Sequence, residues 1–158
     1  MTDRVAPTPI VGTPLFIASP TPPAPLPPTL TPTAAVQPGL YVTNLRIAPN
    51  PPVRGVDLVF YVTFLNSGNS DFNPRWLVYI YKADNPNHSL SETTALQSSI
   101  PPGTNEIRSD GSWKLGAGTP PCDYFFARVA SLESNRRAVA FTQPDGAIFE
   151  KGFTICPP

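Results

Sequence analysis

The sequence predicts an all-β sandwich that follows a proline-rich N-terminal arm. From Gly39 onward, short runs of alternating apolar and polar residues are separated by glycine, proline, asparagine and aspartate, which is typical of antiparallel sandwiches. A length of 158 residues and a 41% hydrophobic content suit one domain with one core. No segment has a convincing helical period. We therefore divide the chain into an arm, residues 1–38, and a β-sandwich domain, residues 39–158.

The arm is too rich in proline for a helix or a central strand. It holds eleven of the 23 prolines and seven threonines, and its only charged residues are Asp3 and Arg4. The run 19–33 favours extended polyproline II, and the whole arm would reach at most roughly 120 Å. Pro/Thr mixtures of this kind commonly hold a module away from a cell surface, while a flexible linker is the alternative.

One apolar stretch interrupts the arm and is a candidate docking element. Its apolar side chains are Ile10, Val11, Leu15, Phe16 and Ile17. Sheet edges and exposed sheet faces accept extended segments of this kind. The stretch therefore either belongs to a passive stalk or binds a neighbouring subunit.

Three strands open the domain. Leu40–Ala48 forms the first, and the stretch 49–52 ends it because proline cannot donate to a sheet ladder. Leu58–Leu65 is the clearest strand, since every second residue is a large apolar one and 66–69 supplies a turn. In the third strand, Trp76–Tyr81, both faces are apolar.

The remaining predicted strands differ in the strength of their alternating apolar pattern. Weak strands lie within Leu96–Ile100 and Glu106–Leu115, and residues 101–103 link them. Tyr124–Ala130 alternates strongly, and a last strand lies near Phe149–Cys156.

The stretch 40–68, LYVTNLRIAPNPPVRGVDLVFYVTFLNSG, resembles the opening of the cell-adhesion-related bacterial domain known as CARDB. In that family a first strand, a proline break, a Gly-led second strand and an Asn-x-Gly turn follow in this order. The resemblance implies an immunoglobulin-like sandwich of about seven strands. It also implies an exported bacterial or archaeal protein that acts as a binding or spacer module and has no catalytic activity. The acidic, Asn-rich stretch that the family has after its penultimate strand is replaced here by 131–146.

The positions of two cysteines test the predicted pairing of the last two strands. In an immunoglobulin-like sandwich the last two strands pair antiparallel, which brings together Cys122, before the sixth strand, and Cys156, at the end of the seventh. A bridge would close a loop of 34 sequence steps, contribute about 3 to 4 kcal/mol by loop entropy, and indicate an oxidising compartment.

A competing register leaves the two cysteines apart. It makes a hairpin of 137–142 and 147–155 across the turn signal 144–146. If 137–142 then pairs directly with Tyr124–Ala130, Cys156 lies at the far end and no bridge forms. In this alternative, Cys122 and Cys156 are two separate buried thiols.

No pattern in the sequence points to catalysis. His88 is the single histidine and lies in a predicted loop, so neither a histidine metal site nor a histidine-activated nucleophile has its partners. Asp71, Asp84, Asp110 and Asp145 lie near turn residues, where carboxylates bond to the backbone. We expect no enzyme activity, no cofactor and no metal site.

Charge and hydropathy exclude further partner classes. Eleven basic and eleven acidic residues give a net charge of zero, so nucleic acid is not an expected partner. No segment has the roughly 18 to 20 apolar residues of a membrane span. A charged start followed by an apolar core is also missing. Because the resemblance to CARDB implies export, we expect an extracellular or cell-surface protein whose signal or anchor is not in this chain.

An aromatic face is the candidate binding surface. If Trp76 and Phe125 face the core, the opposite face of two neighbouring strands presents side chains suited to an interface with a protein. These residues are Leu77, Tyr79, Tyr81, Tyr124, Phe126 and Arg128. Stacking on sugar rings is a weaker use. The alternatives are an intramolecular cover, by the arm or by 82–100, and a register shifted by one residue.

Two functions fit these features. The first is a non-enzymatic extracellular adhesion or interaction module on a Pro/Thr stalk, which binds a protein or a glycan. The alternative is a structural subunit of a surface filament or larger complex, a homo-oligomer in which the arm docks on a neighbouring subunit. A stalk predicts a free arm, whereas a subunit predicts an arm that crosses to another chain.

Overall fold

The computed structural model describes residues 36–85, 88–116 and 121–157. Within these ranges the chain is all-β, and two antiparallel sheets enclose one hydrophobic core. The predicted β-sandwich is therefore confirmed. The apolar stretch Ile10 to Ile17 and the rest of the arm up to residue 35 lie outside the described residues, so the division into arm and domain stays a prediction.

The strands of the described residues divide between the two sheets in the manner of an immunoglobulin-like sandwich. In chain order they are β1 (Leu40–Ala48), β2 (Val59–Asn66), β3 (Arg75–Lys82), β4 (Ser91–Glu92), β5 (Leu96–Gln97), β6 (Gly103–Arg108), β7 (Asp123–Leu132), β8 (Ala138–Ala140) and β9 (Glu150–Ile155). The first sheet has the order β1-β2-β6. In the second sheet β3 pairs with β7, while β4 and β5 line the outer edge of β3 and β8 and β9 pair with β7.

The strongly alternating sequences form strands within two residues of their predicted bounds. The weak strand predicted over Glu106–Leu115 is wrong in extent, because β6 begins at Gly103 and ends at Arg108. Beyond it, Gly111 adopts a positive φ of 73°, which turns the chain. Trp113 then pairs with Leu58 through backbone hydrogen bonds of 2.7 and 2.9 Å. The other weak strand, predicted within Leu96–Ile100, is present as β5, Leu96–Gln97.

The core follows from the two-residue period of three long strands. Their inward residues have no solvent exposure: Phe60, Val62, Phe64, Trp76, Val78, Ile80, Phe125, Ala127 and Val129. The rings of Phe64 and Trp76 meet edge to face with centroids 5.1 Å apart across the two sheets. Burial of a large apolar side chain stabilises the fold by roughly 1.5–3 kcal/mol, so these residues set the register of each strand.

Strand β7 pairs with both β8 and β9 along one edge. Residues Ala130–Leu132 pair with β8, and Asp123–Arg128 pair with β9. The hairpin predicted across 144–146 is also present, since the Gln143 N–H donates to the Ala147 carbonyl at 2.7 Å. The two registers predicted as mutually exclusive therefore coexist, because the ten residues of β7 are enough for both partners.

As a result, the predicted disulfide forms between Cys122 and Cys156. An ion-pair cluster lies beside it. The Arg54 N–H donates to the Cys156 carbonyl at 2.9 Å, and the Arg54 guanidinium contacts the Asp123 carboxylate at 2.8 Å. Lys82 lies 3.6 Å from the same carboxylate. The hydrogen bond from Arg54 holds the pKa of Asp123 below its ordinary value.

No helix among the described residues has the length and apolar character needed to cross a membrane.

Loss of the disulfide should lower stability. We expect the Cys122→Ala/Cys156→Ala variant to lose about 3 to 4 kcal/mol of its free energy of unfolding, because the unfolded chain regains the entropy of a 34-step loop. Guanidinium denaturation with and without dithiothreitol measures the effect. Reductant should destabilise the parent chain and leave the variant unchanged, whereas equal stability of parent and variant would contradict the prediction.

Candidate functional site

The pairing of β3 with β7 builds a row of aromatic rings on the outer face of the second sheet. Tyr81 lies opposite Phe126 in the register, and their rings stack with centroids 5.6 Å apart. The ring of Tyr124 meets Phe126 edge to face at 5.0 Å. At the other end, the Arg128 guanidinium lies 4.9 Å from the centroid of the Tyr81 ring. We call Tyr124, Phe126, Tyr81 and Arg128 the aromatic row.

A carboxylate from β9 closes the polar end of the aromatic row. Glu150 accepts hydrogen bonds from the Tyr81 hydroxyl and from Arg128, the latter at 2.9 Å. Arg128 also donates to the Tyr81 hydroxyl oxygen at 3.1 Å. Burial, together with the bond to Glu150, raises the pKa of Tyr81 to about 12. The hydrogen bonds from Tyr81 and Arg128 lower the pKa of Glu150.

The six residues predicted to form one face do lie on the outer side of β3 and β7, but they differ in exposure. Tyr124 is 51% exposed, and Tyr79, Phe126 and Arg128 are partly buried. Leu77 and Tyr81 are only 3% and 4% exposed, so neither is open to a partner. Tyr81 lies against Phe126 and Arg128, and its hydroxyl is bound by Glu150. The accessible part of the face centres on Tyr124 and Phe126.

The segment 82–100, predicted as one of the alternative covers of this face, contributes strands to the sheet edge instead. Ser91 and Glu92 pair with β3, as do Leu96 and Gln97 further along the same edge. Between them, the Thr93 N–H donates to the Val78 carbonyl at 3.0 Å. These bonds cover the open edge of β3.

Two residues of β9 that the sequence did not single out shape this site. Glu150 supplies the carboxylate, and Gly152 provides room for the Tyr124 ring. A Cβ at Gly152 would lie 1.9 Å from the Tyr124 hydroxyl oxygen. A glycine inside a strand pattern indicates close approach of another group, so Gly152 carried a signal in the sequence. Glu150 carried none, because its partners come from two other strands.

The other polar candidates do not assemble into a second site within the part of the chain that the structure describes. His88 is exposed, and no group of three metal-ligating side chains lies together among these residues. Asp145 accepts a hydrogen bond from the Ala147 N–H at 3.0 Å, as its turn position predicts. Among the described residues, we therefore take the aromatic row as the candidate site.

Neither known protein-family models nor curated proteins match this chain when compared with it. The resemblance to CARDB stays a hypothesis that rests on residues 40–68.

The contact between Gly152 and Tyr124 can be tested by a double-mutant cycle. We expect Gly152→Ala to cost about 0.5–1 kcal/mol more in the parent chain than in a Tyr124→Ala background, because the new methyl group meets the ring only in the former. Urea denaturation of the four proteins gives this coupling. Equal costs in both backgrounds would show that the ring does not lie over β9.

The ion pair at the end of the aromatic row should make stability depend on pH. The pKa of Glu150 is lower in the folded chain, so its contribution is fully present above the unfolded-state value of about 4.3 and is lost as the pH falls through the folded-state pKa. Because Glu150 is largely solvent-exposed, we expect Glu150→Gln to cost only about 0.5 kcal/mol at pH 7.

Urea denaturation from pH 7 to pH 3 measures this difference. The stability gap between the parent and Glu150→Gln should narrow as the solution becomes acidic. Glu133→Gln, on the exposed turn after β7, is the control. A gap that is constant with pH would contradict the assigned ion pair.

Proposed function

We propose that this chain is a non-enzymatic extracellular interaction module that binds a protein partner through Tyr124 and Phe126. The observation that carries the proposal is Tyr124, which is 51% exposed and whose ring meets Phe126 edge to face on the outer side of the second sheet. Tyrosine anchors at interfaces bury a large area and keep a polar group, and their truncation is often costly. The rest of the aromatic row holds this pair in place.

The chemistry of the row suits recognition better than catalysis. Its carboxylate and guanidinium, Glu150 and Arg128, are already paired with each other at 2.9 Å. The Tyr81 hydroxyl, with a pKa of about 12, stays protonated at neutral pH. A site of this kind offers ring surface and fixed hydrogen-bonding groups to a partner. It offers no free base or nucleophile.

Three features support a place outside the cell. The disulfide Cys122–Cys156 indicates an oxidising environment, which export provides. A Pro/Thr-rich segment before the domain has a composition typical of proteins displayed at a cell surface. The resemblance of 40–68 to an exported bacterial adhesion-related domain favours the same location.

Binding of the full, disulfide-bonded chain to cell-envelope fragments of the source organism tests the proposal. Tyr124→Ser should weaken binding at least tenfold, since loss of an interface anchor costs 2 kcal/mol or more and about 1.4 kcal/mol is a factor of ten. Tyr61→Ser is the matched control, because Tyr61 lies on the outer face of the other sheet, 3.9 Å from the Arg46 guanidinium.

Treatment of the envelope fragments identifies the partner class. Protease digestion should abolish binding if the partner is a protein, whereas loss after periodate oxidation alone would identify a glycan. Equal binding by the parent, Tyr124→Ser and Tyr61→Ser would overturn the role of the aromatic row. Circular dichroism of each variant separates lost binding from lost folding.

A further inference from the structure

A cleft of about 410 Å³ separates an edge strand of each sheet on one side of the sandwich. Residues 44–47 of β1 form one wall and 151–154 of β9 form the other. Each strand pairs on its inner side, β1 with β2 and β9 with β7. Along these stretches no strand of the described residues pairs with the outer side of either.

The register shows which backbone groups of β1 face the cleft. Phe60 accepts a hydrogen bond from the Ser109 N–H at 2.8 Å, so its backbone groups face β6. Its partner across the antiparallel ladder, Ile47, therefore turns its N–H and carbonyl away from β2, and so does Leu45 two residues earlier. Val42 has the same orientation, and its N–H donates to the Thr142 carbonyl at 3.0 Å.

The opposite wall, formed by β9, also turns backbone hydrogen-bonding groups toward the cleft. The Val129 carbonyl accepts a hydrogen bond from the Phe141 N–H. The backbone groups of Val129 and of every second residue before it in β7 therefore face the edge that pairs with β8 and β9. Gly152 and Thr154 of β9 therefore direct their backbone groups outward, into the cleft. At the end of this edge, the Cys156 carbonyl accepts from Arg54 at 2.9 Å. Both edges are thus bonded at one end and open along the cleft.

We propose that residues 15–19 of the N-terminal arm of a second copy of this chain bind in this cleft as an added strand. Prolines at 14 and 20 bracket this segment and limit the added strand to five residues, about 16 Å, because proline cannot donate to a ladder. The open stretch of β1, residues 44–48, has the same length. Extended segments commonly bind to exposed sheet edges in this way.

The side chains of the segment match the cleft. Leu15 and Ile17 lie on one side of an extended strand, and Phe16 lies on the other. Leu45, Ile47 and Phe153 line the cleft, although each is at most 7% exposed, so Leu15 and Ile17 would extend the edge of the existing core. The segment carries no charge, whereas the exposed Arg46 and Lys151 line the cleft, so binding requires both cations to stay at its rim in contact with water.

The composition of the arm favours binding in the cleft of a second copy over binding in the cleft of the same chain. Residues 19–33 contain seven prolines, a composition that favours an extended, semi-rigid spacer, roughly 45 Å long at about 3.1 Å per residue. Along β1, the cleft of the same chain lies only about 23 Å beyond Leu40. A spacer of that length would span about twice the distance from Leu40 to the cleft, which favours the cleft of a second copy. Because each chain has one arm and one cleft, the contact runs head to tail and builds a ring or a filament.

The molar mass of the full chain, measured by light scattering over a range of concentrations, tests this assembly. The parent chain should associate, and Leu15→Asp/Ile17→Asp should remain a single chain because two carboxylates would enter the apolar cleft. Phe16→Asp, with its side chain on the outer side, should associate like the parent. These variants change only the arm, so their comparison does not depend on whether a variant of the domain folds.

A second pair of variants tests the cleft. Thr154→Pro removes an outward N–H and places a ring in the cleft, and it should abolish association. Thr104→Pro is the matched control, because this exposed threonine has its N–H on the open side of β6 and away from the cleft. Tyr124→Ser should also associate like the parent, which separates this proposal from the proposed function of the aromatic row.

Three results would overturn the proposal. The first is a parent chain that stays monomeric at every concentration. The second is association that survives Leu15→Asp/Ile17→Asp or a folded Thr154→Pro variant. The third is a monomer in which the amides of Leu45 and Ile47 exchange slowly with solvent. Slow exchange would mean that these amides are hydrogen-bonded to the arm of the same chain.

Discussion

The pairing of β7 on both sides is the constraint on which the second sheet depends. One edge of this ten-residue strand pairs with β3, and the other is shared by β8 and β9. The burial of Phe125, Ala127 and Val129 fixes its register, because a slip of one residue would bring Tyr124, Phe126 and Arg128 into the core. The same register brings the ends of β7 and β9 together.

Both proposed surfaces follow from the position of β9 against β7. Its inner pairing places Glu150 beside Arg128 and leaves room over Gly152 for the Tyr124 ring. Its outer edge has no second neighbour along 151–154 among the described strands, because β1 belongs to the other sheet. An unpaired edge is a site at which other chains pair readily, and natural proteins usually cover it or restrict its length. Here the bond at Val42 restricts the open edge of β1, and the bond at Cys156 restricts that of β9.

Among the described residues, seven charged side chains form ion pairs between segments that are distant in sequence. Arg54 and Asp123 tie the segment after β1 to the start of β7, close to the disulfide. Arg46 and Glu106 connect β1 to β6 across the outer face of β2 at 2.8 Å. The latter pair is exposed and contributes little to stability, whereas the Arg54 side chain is buried and depends on its partner. With a charged content of only 14%, much of the remaining surface is neutral.

The sequence by itself determined the strand class and the inward faces of β2, β3 and β7, because the two-residue period and the turn residues are local signals. It also predicted the disulfide, together with a register that would prevent it. Only the tertiary structure showed that β7 accommodates both pairings, since a period shows which face a residue takes and not which strand lies beside it. For the same reason the sequence did not reveal the role of Glu150, the burial of Leu77 and Tyr81, or the open edges of β1 and β9. Each of these depends on contacts between residues far apart in the chain, and no local pattern encodes such contacts.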